Sequence, residues 1–264
     1  MRHRTALRTD MQRYRLTLEF DGSAFVGWQY QTNGLTVQEV VETAIGRFCA
    51  TVPRIMSAGR TDSGVHALGM VAHADIDRDM SVDRLFEALN FHMRPHPVVV
   101  REIVPVPPEF DARRSCIRRH YVYRILNRHA PPALDQGRVW HVVKPLDLDL
   151  MREGAARLVG HRDFESFRSA HCQSKTSEKT LERLESTREG EEVHVHASAR
   201  SFLHNQVRIL TGTLVDVGKR RWTPDDVTRA LEARDRQAAG PTAPARGLYF
   251  LRADYPPATS GSAA

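Results

Sequence analysis

The segment from Ala58 to His66, Ala-Gly-Arg-Thr-Asp-Ser-Gly-Val-His, places a cation, a hydroxyl and a carboxylate between two glycines. Glycines at both ends permit a tight turn and the close approach of another backbone or a ligand. Turns that leave a rigid element often present reactive side chains. Asp62 is therefore a candidate catalytic carboxylate, and Arg60 could form an ion pair that keeps it ionised. An ordinary surface turn with a hydrogen-bonded aspartate has the same spacing.

Three familiar motifs come close to this segment and fail. Residues 59–64 have the spacing of a phosphate-binding loop, but Val65 and His66 occupy the positions that require Lys and Ser or Thr. The triplet that starts at Asp62 resembles that of aspartic proteases, but that chemistry needs a second carboxylate segment, which the sequence lacks. It also resembles the aspartate segment of subtilisin-like proteases, whose serine and histidine segments are absent. The motifs therefore give little support to a protease or to a phosphate-binding loop.

The residues around this segment predict one α+β unit that positions it. Residues 14–20 alternate in polarity, which predicts a strand with one apolar face. Thr36 with Glu39 is typical of a capping box, and an apolar helical stripe follows it. The order strand, helix, strand, strand, helix, strand is completed by four further elements near residues 54–58, 65–76, 82–92 and 98–104. The candidate loop lies between the second and third strands of this unit.

The second half of the chain repeats this order loosely. Strands are predicted at 121–125, 181–187, 192–200 and 248–253, and helices at 148–159, along the stripe from Leu203 to Val217, and at 223–233. The predicted fold class is α+β, with two split-βαβ (ferredoxin-like) halves whose antiparallel sheets join. Helices cover the outer face and a cleft lies between the halves. The predicted division is 11–113, which carries the Asp62 loop, and 114–257, with flexible tails at 1–10 and 258–264.

Composition limits the class of protein and of partner. The 264 residues are 41% hydrophobic and 27% charged, which favours a packed globular chain, and no apolar run approaches the roughly 20 residues of a membrane span. The formal charge is +6, and Arg supplies 34 of the 38 basic residues, which favours an acidic partner such as nucleic acid. Three widely spaced cysteines form neither a disulfide framework nor a zinc motif, so a cytoplasmic location is predicted.

Gly59-Arg-Thr-Asp-Ser-Gly-Val-His66 resembles the signature of the TruA family of tRNA pseudouridine synthases. The resemblance extends in order along nearly the whole chain, from about residue 14 to residue 257. The other matching segments are Glu19-Phe-Asp-Gly22, Gly27-Trp-Gln29, Thr36-Val-Gln38, Phe110-Asp-Ala-Arg113, Arg119-His-Tyr-Val-Tyr123, Gly160-His-Arg-Asp-Phe164, Ser166-Phe-Arg168, Phe202-Leu-His-Asn-Gln-Val-Arg208, Asp235-Arg236, Ala239-Gly-Pro-Thr-Ala-Pro-Ala245, Gly247-Leu248 and Tyr255-Pro256.

The resemblance implies an isomerase that breaks the N-glycosidic bond of a uridine, turns the base and joins C5 to C1′. It implies that Asp62 is the catalytic carboxylate, which either attacks C1′ or removes the C2′ proton. The leaving base is retained and no water has to be activated, so one carboxylate suffices, in contrast to the pair used by glycosidases. No metal and no organic cofactor is required.

The resemblance also implies roles for four other residues. Arg60 is expected to help a nucleotide leave the base stack, and Tyr121 to stack on the flipped base and to be a candidate acceptor of its C5 proton. Arg208 matches the family arginine beside the catalytic aspartate, and we add His66 to the substrate-binding candidates Tyr121, Arg60 and Arg208. The implied substrate is uridine at positions 38, 39 and 40 of the tRNA anticodon arm, and the implied working form is a homodimer.

Three alternatives remain open from the sequence. The first is a tRNA-binding protein of the same fold that has lost its activity. The second is an Asp-dependent hydrolase, and the third is a pseudouridine synthase with another target position. Metal binding is not predicted, because the histidines lack the spacing of a metal-binding helix, and His194 and His196 are expected to face solvent or RNA.

Overall fold

A computed structural model describes residues 11–49, 51–77, 80–170 and 172–257, so the predicted tails at 1–10 and 258–264 lie outside the described residues. Within these ranges the chain forms ten β-strands and five α-helices. The strands are β1 Met11–Phe20, β2 Met56–Ser57, β3 His66–Asp77, β4 Val98–Pro105, β5 Arg118–Leu126, β6 Trp140–His141, β7 Gly160–Asp163, β8 Glu178–Glu189, β9 Glu192–Ala199 and β10 Leu248–Asp254. The helices are α1 Val37–Ile45, α2 Val82–His92, α3 Leu148–Ala156, α4 Gln206–Gly218 and α5 Pro224–Glu232.

All ten strands belong to one sheet. Its order is β4-β1-β3-β10-β5-β9-β8-β7, with β2 beside β3 and β6 beside β5. Every pairing is antiparallel except those of β3 with β10 and of β5 with β6. The predicted α+β class and the joined, mostly antiparallel sheet are confirmed. The division at residue 113 remains our proposal.

The last strand connects the two parts of the sheet and thereby builds the region of the candidate loop. Tyr249 and Phe250 of β10 pair in parallel with His66 and Ala67 at the start of β3. On its other edge β10 pairs antiparallel with β5, and Phe250 lies opposite Tyr121. Strand β10 thus brings the end of the Gly59–Gly64 loop close to Tyr121, although this strand follows the loop by almost two hundred residues in the sequence.

Two hydrophobic clusters pack against this sheet and exchange residues at the junction. The first contains side chains of β1, β3, α1 and α2, and the second contains side chains of β5, β9, α3 and α4. Phe250 belongs to the first cluster although its strand is the last of the chain, and Val65 belongs to the second. Full burial of a side chain such as Phe250 is worth about 1.5–3 kcal/mol. The junction is therefore held by side-chain packing as well as by backbone hydrogen bonds.

Local signals set most helix boundaries. The Thr36 hydroxyl accepts a hydrogen bond from the Glu39 N–H at 3.2 Å and starts α1. A full capping box occurs at Thr223, which precedes α5. The prediction that the α4 stripe starts at Leu203 is wrong, because Asn205 has a left-handed backbone (φ 62°) that delays the helix to Gln206.

None of the helices in the described ranges combines the length and apolarity that crossing a membrane requires.

Candidate active site

The Gly59–Gly64 loop is attached by its backbone to residues 25–28. The Trp28 N–H donates to the Thr61 carbonyl at 3.0 Å, and Gly27 and Asp62 form an isolated antiparallel bridge. Gly27 has φ 125°, and a Cβ at this position would lie 2.8 Å from the Thr61 carbonyl oxygen. Only glycine combines this backbone conformation with such a close approach. The position of Asp62 is therefore fixed by the main chain on both sides of it.

A second attachment comes from Arg119 on β5, which is only 9% exposed. Its Nε donates to the Ala58 carbonyl at 2.8 Å, its Nη2 donates to the Arg113 carbonyl at 2.7 Å, and its Nη1 donates to the Arg200 carbonyl. No ion pair of this guanidinium with a carboxylate occurs in the part of the chain that the structure describes. The planar fork of an arginine can hold several carbonyls at once. It links the start of the loop to two distant segments.

The carboxylate of Asp62 is held between two side chains from the start of α4. Its Oδ2 lies 3.2 Å from Arg208 Nη1, and its Oδ1 lies 3.2 Å from His204 Nε2. Arg208 is itself fixed, because its Nε donates to the Ala243 carbonyl at 2.8 Å and its Nη1 donates to Asn205 Oδ1 at 2.8 Å. The Asp62 side chain remains 28% exposed. A partly accessible carboxylate between a fixed cation and an imidazole suits acid–base or nucleophilic chemistry.

The predicted ion pair between Asp62 and Arg60 is wrong. The bridge to Gly27 directs Asp62 toward α4, and Arg60 is left exposed on the outside of the loop. Partial burial and the neighbouring cations Arg113 and Arg54 lower the pKa of Arg60 below its ordinary value. Arg60 is thus part of a cationic edge beside the loop, whereas Arg208 holds the carboxylate.

Tyr121 lies between two phenylalanine rings and close to the loop. Its ring contacts Phe202 and Phe250 edge-on, with centroids 5.2 Å and 5.1 Å away. A Cβ added to Gly59 would lie 3.5 Å from the Tyr121 hydroxyl oxygen, so the loop backbone passes close to the phenol. Part of the side chain stays accessible, but burial raises the pKa of Tyr121 above its ordinary value, and the charge of Asp62 adds to this effect against that of Arg119. The phenol therefore keeps its proton at neutral pH, which argues against Tyr121 as a proton acceptor.

His66 is placed inside the protein, so the prediction that it contacts substrate is corrected. It is 2% exposed, its Nδ1 accepts a hydrogen bond from the Gly22 N–H at 3.1 Å, and its Nε2 lies 3.2 Å from the Gly137 carbonyl. These bonds fit a neutral imidazole with its proton on Nε2. Burial lowers the pKa of His66 against the opposing effect of Asp21, and the ring stacks on Tyr249 at 4.7 Å. His66 supports the end of the loop from behind.

Two of the other histidines are less exposed than predicted. Within the described ranges no group of three or more His, Cys, Asp or Glu side chains could hold a metal ion. His194 and His196 are partly buried, and His194 Nε2 lies 2.8 Å from the carboxylate of Glu192. They lie on the strand face opposite the buried Val193 and Val195, as predicted, but are only partly exposed, and their contact with RNA stays a prediction.

Sequence reasoning missed Arg119 and His204. Arg119, Tyr121 and Tyr123 alternate along β5 and so point to one face of the sheet, a signal that could have marked Arg119 as buried. His204 lies four residues before Arg208, but the turn at Asn205 removes the helical spacing that would have related the two.

The chain was compared with known proteins. The family model described as "tRNA pseudouridine synthase" matches residues 17–113 and 155–256. Asp62, Arg60, His204 and Arg208 fall within these ranges, and Tyr121 falls between them.

Curated relatives match over almost their full length. A protein of Rhodospirillum centenum named tRNA pseudouridine synthase A is 58% identical over 245 residues, which cover 93% of this chain and 100% of the relative. Proteins with the same name from Rhodospirillum rubrum and Rhizobium meliloti are 54% and 53% identical, over 96% and 93% of this chain and 91% and 100% of their own lengths.

Proposed function

The chain belongs to the tRNA pseudouridine synthase family, and from this premise we propose that Asp62 is the carboxylate with which it performs the reaction. The enzyme is an isomerase that converts uridine to pseudouridine in tRNA. In this reaction the bond from C1′ to N1 breaks, the base turns, and C5 forms the new bond to C1′. The C5 proton is lost and N1 gains one, so the atoms balance without a further reactant.

The contact between Asp62 and Arg208 carries the proposal for the catalytic carboxylate. Attack on C1′ and removal of the C2′ proton both need an ionised carboxylate that is held in a fixed direction. Arg208 supplies a permanent cation 3.2 Å from Oδ2, and the Ala243 carbonyl and Asn205 hold that cation in place. The contact with this cation fixes the direction of the carboxylate. The backbone bridge at Gly27 restrains the other end of the same side chain.

The surroundings of Asp62 suit a nucleotide that has left its stack. Tyr121 offers an aromatic ring next to the loop, and stacking of a base on such a ring is worth about 1–3 kcal/mol. Extrusion of a base costs a few kcal/mol, and a planar cation that fills the gap offsets part of this cost. Arg60 is exposed beside the loop and is placed for this role. Its separation from Asp62 fits a residue that meets the RNA rather than the carboxylate.

We further propose that the substrate uridines are those at positions 38, 39 and 40 of the anticodon arm. The formal charge of +6 and the exposed cations Arg54, Arg60 and Arg113 favour the phosphate backbone of such an arm. The working form proposed is a cytoplasmic homodimer, since tRNA is long enough to contact two copies of the chain. Mapping of pseudouridines in tRNA from a deletion strain tests the positions, and their loss at 38, 39 and 40 is expected.

Tritium release from tRNA labelled at C5 of uridine tests the role of Asp62. The wild-type enzyme is expected to release tritium, and Asp62→Asn is expected to abolish release while it still binds tRNA. The matched control is Asp149→Asn, an exposed carboxylate on α3, which should release tritium at the wild-type rate. Undiminished release by Asp62→Asn would contradict the proposal. Binding without release by the wild type would instead support a tRNA-binding protein without activity.

A further inference from the structure

The turn that precedes α4 is built to present the imidazole of His204 to Asp62. The His204 N–H donates to Cys172 Sγ at 3.3 Å, and its carbonyl accepts from the Ser169 N–H at 3.2 Å. The left-handed Asn205 then turns the chain into the helix. With its backbone held on both sides, His204 extends its side chain to Asp62, where Nε2 lies 3.2 Å from Oδ1.

His204 and Arg208 hold the same carboxylate in different ways. Arg208 makes two further hydrogen bonds, to Ala243 and Asn205, and so it cannot move without losing them. The ring of His204 has no second hydrogen bond within the described part of the chain, and its side chain is 37% exposed. Its Nδ1 is therefore available to water.

The isomerisation creates a need for a proton acceptor near C1′. Once C5 is bonded to C1′, the C5–H bond must break and its electron pair must restore the C5–C6 double bond. Arginines hold their protons throughout the physiological range, so neither Arg208 nor Arg60 can accept this one. Tyr121 keeps its own proton because burial raises its pKa. Histidine is the side chain whose ordinary titration allows it to take up and release a proton near neutral pH.

We propose that the imidazole of His204 accepts the C5 proton of the reattached base and passes it to water. This inference rests on the proposed role of Asp62, because C5 is then bonded to the carbon that Asp62 serves. The imidazole lies 3.2 Å from Oδ1, so it borders the place that C1′ occupies when Asp62 acts on it. The neutral ring presents its Nε2–H to the carboxylate and so has its lone pair on Nδ1. Nδ1 therefore accepts the C5 proton and then releases it to water, while N1 takes its proton from solvent, so no other reactant is needed.

The substitution His204→Gln separates proton transfer from positioning. A glutamine amide can still donate to Asp62 Oδ1, but it cannot accept a proton. The expected result is a loss of about 10²-fold in the single-turnover rate of pseudouridine formation, with unchanged affinity for tRNA. Replacement of the C5 proton by deuterium should slow this variant more than the wild type, because proton removal becomes the slow step. Added imidazole should restore part of the rate of His204→Ala.

The matched control is His161→Gln on β7, an exposed histidine far along the sheet, which should behave as the wild type. A His204→Gln enzyme with the wild-type rate and isotope response would overturn the proposal and leave His204 as a holder of Asp62. A rate loss with no larger isotope effect and no response to imidazole would also overturn it. Asp62→Asn should be inactive in each of these cases. An active Asp62→Asn enzyme would instead remove the proposed function on which the inference rests.

Discussion

Two aspartate–histidine pairs lie near β5, on opposite faces of the sheet. His120 and Tyr121 are neighbours on this strand and point in opposite directions, so the pair of Asp254 with His120 is separated by the sheet from that of Asp62 with His204. His120 Nε2 lies 2.7 Å from Asp254 Oδ2, and its Nδ1 lies 2.8 Å from the Ser198 hydroxyl. The order serine, histidine, aspartate is that of a hydrolase triad.

The comparison shows that residue types and distances alone do not identify an active site. Ser198 is 4% exposed and lies within β9, between paired residues of β5 and β8. Each polar group of that cluster has a partner: the Ser198 hydroxyl lies 2.8 Å from Nδ1, and Nε2 lies 2.7 Å from the Asp254 carboxylate and 3.3 Å from Arg252 Nη2. The two aspartates are similarly exposed, at 28% for Asp62 and 27% for Asp254, but the side chain of His204 is 37% exposed and that of His120 only 11%. The reactive pair thus differs from the structural one because a ligand can reach its histidine, and one ring nitrogen of that histidine has no hydrogen-bond partner among the described residues.

The largest difference is expected between the two single substitutions Asp62→Asn and Asp254→Asn. Asp62→Asn removes the reacting charge, and a loss of roughly 10⁴-fold or more in the rate of pseudouridine formation is expected. Asp254→Asn should leave this rate within about twofold of wild type, since its carboxylate only orders a strand junction. Single-turnover assays on tRNA measure both. Equal losses in the two variants would erase the distinction drawn between the pairs.

Arg119 should affect activity and stability together, because its guanidinium joins the loop to the rest of the sheet. Arg119→Met removes three hydrogen bonds from a charged donor to carbonyls that remain covered, with an expected cost of about 2–4 kcal/mol in the free energy of unfolding. The rate of the folded variant should fall by about 10-fold to 100-fold through misplacement of Asp62.

Arg119→Lys keeps the charge but not the fork, and it should recover stability only in part. Chemical denaturation and single-turnover kinetics, carried out on the same preparations, measure the two effects. A variant that is destabilised but retains the full rate when folded would show that Arg119 does not position the loop.

Local features could be predicted from the sequence, whereas contacts between distant residues could not. The bounds of α2 agree with the predicted 82–92, because Ser81 caps a regular apolar stripe there. The partner of Asp62 was misassigned to Arg60, two residues away, although the true partner Arg208 is 146 residues away. That contact depends on β10, which closes the sheet, and on the turn at Asn205. The strand itself was predicted, but neither its pairing with β3 and β5 nor the turn at Asn205 leaves a periodic signal.

The resemblance to a family placed Arg208 correctly where spacing alone did not. It did not indicate which residues surround Arg60 and His66, because a motif gives residue types and their order but not their exposure. His66 closely follows the loop in the sequence, yet its side chain is buried inside the protein. The motif does not single out Arg119 or His204. Arg119 nevertheless holds the start of the loop, and His204 contacts the carboxylate of Asp62.

A moderate effect on stability alone is expected from Ser198→Ala. The substitution leaves the Nδ1 of His120 without a donor in a covered site, at a cost of about 1–2 kcal/mol in the free energy of unfolding. The rate of pseudouridine formation should be unchanged, because the cluster lies on the other face of β5. Thermal unfolding and the tritium-release assay measure the two properties. Loss of activity without loss of stability would mean that the triad-like cluster has a catalytic part.

The smallest effect should be the pH dependence of stability contributed by His66, a buried counterpart of the exposed His204. Burial lowers the pKa of His66 in the folded state, so between the two pKa values the unfolded chain binds more protons than the folded one. Stability is therefore full above the ordinary histidine pKa of about 6.5 and falls as the pH drops below it, by at most about 1.4 kcal/mol per pH unit from this group.

His73 and His196 act in the same direction, since burial lowers the pKa of both. The unfolding free energy of His66→Gln, followed from pH 8 to about pH 5, should therefore decline less steeply than that of wild type. A decline in His66→Gln as steep as that of wild type would show that His66 does not contribute to this pH dependence.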